Sequence, residues 1–173
     1  MLQFVVISSI NINIVFLIMS EKYLNLYNLL IRLSTNKELY KSLTKQDTFS
    51  ERLTLFLLHF AFFLKSFKNN ENKEILQEIY DFNFKQLELS IREIGYGDQS
   101  INKKMKIYIN LFHSMIDNIH YWDDIKKSEK IDKLTIFLED FNKIDDLVDY
   151  FEDFKSKLTK KNLNLLLKGV STF

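Results

Sequence analysis

Apolar and polar positions follow a helical period along most of the chain. Beyond Ser20, residues Tyr23, Leu26, Tyr27, Leu30 and Ile31 recur at spacings of three and four, which predicts a helix from Glu21 to Leu33 capped by Ser20. Ser34-Thr35-Asn36 breaks the pattern, and a short helix is expected from Glu38 to Thr44. Ser50 is then expected to cap a helix from Glu51 to Phe67, ERLTLFLLHFAFFLKSF. This helix is apolar on nearly every side, which marks it as the central, buried one. Its apolar run, Leu53 to Leu64, is too short to cross a bilayer, which takes about 20 residues.

A polar connection, Lys68 to Lys73, leads into a fourth helix from about Glu71 to Ile94. Its expected buried stripe is Leu76, Tyr80, Phe84, Leu87, Ile91 and Ile94. Gly95 falls where a left-handed residue ends a helix, Gly97 follows, and Asp98 and Ser100 offer caps for a helix from about Ile101 to Trp122. A charged connection from Asp123 to Lys130 precedes helices over roughly Ile131–Phe141 and Ile144–Leu158, with an apolar tail, NLNLLLKGVSTF.

Composition supports this reading. Proline is absent, and the three glycines stand at 95, 97 and 169, too few turn residues for a sheet-rich fold of 173 residues. The predicted class is all-α, a single-domain bundle of about six to seven helices over residues 20–173. Lys and Arg number 24 and Asp and Glu 23, so no global field attracts nucleic acid or an acidic surface. With no cysteine, disulfides, thiolate metal sites and cysteine nucleophiles are excluded together.

Residues 1–19, MLQFVVISSININIVFLIM, carry no charge. They lack the basic start and small-residue end of a signal peptide, and Asn11 and Asn13 would sit inside a membrane span. Met19-Ser20-Glu21-Lys22 reads like an ordinary protein start, so the segment is taken first as an over-extended start. A membrane anchor or an added packing element are the alternatives.

Few residues offer chemistry. His113, Asp117 and His120 stand at i, i+4 and i+7 and could share a helix face as metal ligands, although this pattern is more often a solvated surface. His59 lies in the apolar third helix and reads as a core histidine with a ring-nitrogen partner. There is no nucleophile elbow, P-loop or dinucleotide fingerprint, and Gly95-Tyr96-Gly97 follows a helix instead of a strand. No catalytic residue, metal or cofactor is assigned.

The stretch IREIGYGDQSINKKMK is different, because it gathers two glycines, an Arg-Glu pair and three lysines around one turn. Lys103, Lys104 and Lys106 fall early in the expected helix, where the macrodipole disfavours cations, so stability does not explain them. Beside a rigid turn they form a candidate docking patch for an acidic or phosphate-bearing partner.

This stretch resembles the signature of the ubiquinol–cytochrome c chaperone family, approximately LREMGVGD followed by a Lys-rich helix start. FSERLTLFLLHFAFFLKSF, with Arg52 and Leu58-His59, resembles a second family segment, and IYDFNFKQLELSIRE the aromatic helix before the signature, with Glu88 where Asp is usual. LLLKGVSTF is similar to the family's C-terminal end. The resemblance is strongest from Leu24 to Lys106. It departs at Ser50-Glu51, where a glycine is common before the arginine, and at His113-Ser114, where Gly-Arg often follows the aromatic.

The resemblance implies an all-α holdase without a cofactor of its own, which binds newly made cytochrome b and assists assembly of the bc1 complex. A ribosome or small helper subunit is a possible further partner, as is peripheral membrane contact, and no nucleic-acid specificity is implied. The implied location is the bacterial cytoplasm beside the inner membrane, or the mitochondrial matrix side in a eukaryote. In this reading Arg92 and Glu93 fix a helix end, Gly95 and Gly97 permit the turn, and Asp98 caps the next helix. Lys103 and Lys104 face the client or ribosome, Tyr96 counts with them among the partner-binding residues, and Arg52 and His59 serve structure or binding. The competing readings are a helical adaptor with an unrelated partner and a metal-dependent helical enzyme using His113, Asp117 and His120.

Overall fold

The computed structural model describes residues 22–42, 48–139 and 141–169. The expectations for residues 1–19, the Ser20 cap and the last four residues lie outside that range. The described residues form α1 (22–34), a 3-10 turn (Leu39–Ser42), α2 (Phe49–Phe67), α3 (Lys73–Glu93), α4 (Asp98–Asn118), α5 (Lys127–Thr135), α6 (Ile144–Thr159) and α7 (Leu163–Leu167). The protein is an all-α helical bundle.

As its composition predicts, α2 is the central element, buried from Leu55 to Phe63. It packs against α4 on one side and α6 on another, while α3 pairs with α4 and α5 with α6. Aromatic rings make both junctions. Phe60 stacks on Phe112 of α4 at 5.1 Å between centroids, and Phe62 stacks on Phe151 of α6 at 4.8 Å. Buried side chains from all seven helices join one hydrophobic cluster. On α1, Tyr23 and Tyr27 meet Phe82 of α3, and Asn25 Nδ2 donates to the Leu167 carbonyl of α7 at 3.3 Å.

Several boundaries differ from the sequence reading, each for a local reason. Thr48, not Ser50, caps α2: its hydroxyl accepts from Glu51 N, while the Glu51 carboxylate accepts from Thr48 N at 2.7 Å. Starting the helix two residues earlier lets both ends of this box close. On α1 the buried face includes Leu29, whereas Ile31 is exposed. The charged stretch expected as a connection is partly helical, and α5 begins at Lys127. Its charges are taken up in pairs with neighbouring helices: Lys127 with Asp149, Lys130 with Glu152, and Lys155 with Asp123. The chain leaves helix after Thr135, which exposes Ile136 and still buries Leu138 and Phe141. The apolar tail contributes α7, with Leu163, Leu166 and Leu167 buried.

Candidate partner-docking site

The α3–α4 corner is built by a helix stop, a tight turn and a helix start. α3 closes with Ile94 N donating to Ser90 O and Gly95 N donating to Arg92 O at 2.9 Å. Gly95 takes φ +99°, a conformation that disfavours any side chain with a Cβ. Gly97 differs from expectation. Its φ of −73° and ψ of 158° suit any residue, and nothing lies within 4 Å of a Cβ built there. The turn therefore needs Gly95 and does not need Gly97. Gly95→Val is expected to destabilise by about 1–3 kcal/mol through its strained backbone, while Gly97→Ala stays near wild type. Thermal unfolding of the two variants side by side checks the contrast.

The roles expected of Asp98 and Ser100 also change. Gly97 is the N-cap of α4 without a side-chain cap bond, and Asp98 is the first helical residue. There its carboxylate complements the helix dipole and takes a hydrogen bond from Arg92 across the turn. Arg92 also donates through Nη2 and Nε to Glu88 Oε1, at 2.9 and 3.1 Å, and Glu88 pairs with Lys85 at 3.1 Å. Asp98 and then Glu88 hold the guanidinium firmly charged. Lys85 and then Arg92 hold the Glu88 carboxyl below its usual range. Arg92 thus ties the end of α3 to the start of α4, as expected of it, but these pairs are solvated and add little stability. Glu93 is exposed, and no partner is found for it among the described residues.

Every residue from Arg92 to Ser100 is exposed, and the chain becomes buried again only at Ile101. Ile94, expected in the buried stripe, is 57% exposed, because the helix ends there and its side chain lies past the last packed turn. Tyr96 is 43% exposed, and Lys104 Nζ sits 4.4 Å from its ring centroid. Ile107, one turn further, is also exposed. Since α4 begins at Asp98, Lys103 and Lys104 stand in its second turn, where the dipole penalty has faded. The stronger observation is that Lys103, Lys104 and Lys106 form no ion pair among the described residues. Exposed Ile94 and Tyr96, beside lysines without an ion pair among the described residues, can dock an acidic, partly apolar surface.

Arg52 and His59, expected as structural or partner-binding residues, separate. Arg52 is exposed and lines a small recess of about 160 Å3 with Phe49, Ile31 and, from the last turns of α3, Leu87 and Ser90. It therefore shares the corner's end of α3. His59 is fully buried, with Nδ1 2.7 Å from Leu55 O and Nε2 2.7 Å from the hydroxyl of the partly buried Tyr150. Burial pushes its pKa down to about 4, so the ring is neutral: Nδ1–H donates to Leu55 and Nε2 accepts from Tyr150. Tyr150 went unnoticed in the sequence, where only an aromatic at helical spacing hinted at it. His113, Asp117 and His120 are not brought together as a ligand set among the described residues. His113 Nε2 meets the Tyr80 hydroxyl at 3.3 Å, and among the described residues no three His, Cys, Asp or Glu side chains converge. No described helix is long and apolar enough to cross a membrane.

Residues 41–119, from the 3-10 turn through α4, match the family model described as ubiquinol–cytochrome C chaperone. The fold is similar to that in the crystal structure of the Cbp3 homolog from Brucella abortus, with a TM-score of 0.69 over 88% of each chain and 24% identity. No curated protein sequence matches the chain significantly. The matched stretch contains the central helix α2, the hairpin of α3 and α4, and the corner between them, and over these residues the chain is similar to the ubiquinol–cytochrome C chaperone family.

Proposed function

We propose that the protein is a non-catalytic assembly chaperone that binds newly made cytochrome b and assists biogenesis of the bc1 complex. The family match across the α3–α4 corner is the observation that carries this reading, since the matched stretch includes every residue of that exposed tip. The corner has the physical make-up of a docking surface. Gly95 and the Arg92–Asp98 tie keep it in one shape, and Lys103 and Lys104 supply charge that forms no ion pair among the described residues. A preformed surface loses little entropy on binding, which suits a holdase that must engage a client and release it. Arg52, beside the same end of α3, extends that surface. A ribosome or a small helper subunit could use neighbouring parts of it, and the proposed place of action is peripheral to the inner membrane on its cytoplasmic or matrix side.

Deleting the gene in its native cell tests this. The expected result is a selective loss of the cytochrome b absorbance and of quinol oxidation by the bc1 complex. The wild-type gene restores both; Lys103→Glu/Lys104→Glu restores them poorly while the variant protein still accumulates. Crosslinking during cytochrome b synthesis should join the two proteins through the corner. Unchanged bc1 spectra in the deletion strain would reject the proposal in favour of an adaptor with another partner.

A further inference from the structure

A second surface lies at the opposite end of the α3–α4 hairpin, roughly 20 Å along α3 from the corner at the helical rise per residue. There the end of α2 and the facing sides of α3 and α4 enclose an open trough of about 720 Å3. Its floor is apolar, from Leu64, Leu76, Tyr80, Phe112 and Ile116. Lys65, Lys68, Lys73, His113 and His120 edge it, and no carboxylate is among the lining residues. Lys65 is committed to the fold: Nζ donates to the carbonyls of Ile119 and His120 at 2.6 and 2.8 Å and closes one end of the trough. Lys68 and Lys73 are exposed, and among the described residues neither forms an ion pair. The surface is therefore apolar at its base and cationic at its rim, in a protein whose overall charge is nearly balanced.

We infer that this trough docks an amphipathic segment of a partner protein, apolar on one face and acidic on the other. A helix laid in a groove places side chains at i, i+3, i+4 and i+7 on an apolar floor and leaves its flanks to meet the rim. Lys68 and Lys73 select acidic flanks by charge complementarity, and Asn69, Asn70 and Gln77 offer hydrogen bonds beside them. Other occupants fit less well. A concave trough does not follow a flat bilayer, and an acyl chain needs an enclosed, mostly apolar sleeve. Residues 1–19 of this chain carry no charge to answer the lysines. The trough and the corner are separate surfaces, so this inference does not rest on the bc1 reading.

Fluorescence anisotropy of the full chain with a labelled synthetic peptide tests it. The peptide carries Leu and Phe at i, i+3, i+4 and i+7 and Glu on its other face. Saturable binding is expected, weakened at least tenfold by Lys68→Glu/Lys73→Glu, with amide protection in the bound state rising around Leu76 to Tyr80 and Phe112 to Ile116. A peptide with Lys in place of Glu, and one of the same composition in scrambled order, should both fail to bind. Circular dichroism checks the fold of the double variant, and Lys68→Gln/Lys73→Gln, expected to weaken binding in the same direction, replaces it if folding is lost. The inference is overturned if the charge-reversed variant binds normally, if the scrambled peptide binds as well, or if no peptide binds. It is equally overturned if these lysines instead govern binding to phosphatidylglycerol vesicles or self-association measured by sedimentation.

Discussion

Phe62→Ala is expected to destabilise the protein by about 3–5 kcal/mol, the usual cost of emptying a large aromatic site in a packed core. Phe62 is fully buried in α2, stacked on Phe151 and edge-to-face with Trp122 at 5.0 Å. Those two rings come from α6 and from the turns that follow α4, so one side chain joins three parts of the fold. Trp122 and Phe151 are themselves fully buried, which leaves little freedom for either to collapse into the space. Because a domain of this kind is stable by only about 5–15 kcal/mol, the variant should be marginal. Phe49→Ala provides the contrast: the residue has the same chemistry but is 47% exposed, and its loss should cost well under about 1 kcal/mol. Urea midpoints and slopes followed by circular dichroism check both. Equal midpoint shifts for the two variants would show that α2 is not the central support described here.

The central role of α2 was legible because apolar residues cover nearly every face of its middle, Leu55 to Phe63, which leaves that stretch no solvated side. The α3–α4 turn was legible for a related reason, since glycine is so scarce here that Gly95 could hardly mark anything but a backbone requirement. Periodicity did not say where a stripe stops being covered, and Ile94 shares the phase of Ile91 yet lies beyond the packing. Nor did cap-forming residue types say which of several neighbours acts. Thr48 prevailed over Ser50 because Glu51 stands three residues after it, as the reciprocal bond requires. α5 was misplaced because its ion-pair partners are 22 residues away on α6, a distance at which no local pattern reports.

The candidate site shows the same division. Arg92 and Asp98 were singled out by proximity to the turn, and the structure joins them. The lysines were singled out by a dipole argument that the actual start of α4 weakens, and their lack of ion-pair partners replaces it. The trough was not legible at all. Its lysines come from the end of α2, a connection and the first turn of α3, its histidines from α4 and the turn after it, and only tertiary packing puts them around one apolar floor. Surfaces assembled from three helices leave no motif in the sequence.

Acidification should weaken the fold through His59, and removing the His59–Tyr150 pair should flatten that response. In the unfolded chain the imidazole takes a proton near pH 6.5, whereas in the fold burial lowers its pKa to about 4. Between those values the unfolded state binds the extra proton and the native state does not, so stability rises with pH across this window. The contribution is complete above about pH 6.5, falls as the pH drops, and is gone below about pH 4. At about 1.4 kcal/mol per pKa unit it amounts to roughly 3 kcal/mol. The cause is structural: His59 sits against Tyr150, Phe151 and Phe154 of α6, and its hydrogen-bond partners among the described residues are the Leu55 carbonyl and the Tyr150 hydroxyl, neither of them a carboxylate that would stabilise an imidazolium. His59→Leu alone would leave the Tyr150 hydroxyl without its acceptor. The double variant His59→Leu/Tyr150→Phe removes both polar partners, and such paired replacement is near neutral at pH 7. Urea unfolding of both proteins from pH 7 to pH 4 checks the claim. Carboxylates titrate in each protein alike, so the difference between the two curves isolates the histidine, and curves that fall in parallel would remove His59 as the acid-sensitive lock between α2 and α6.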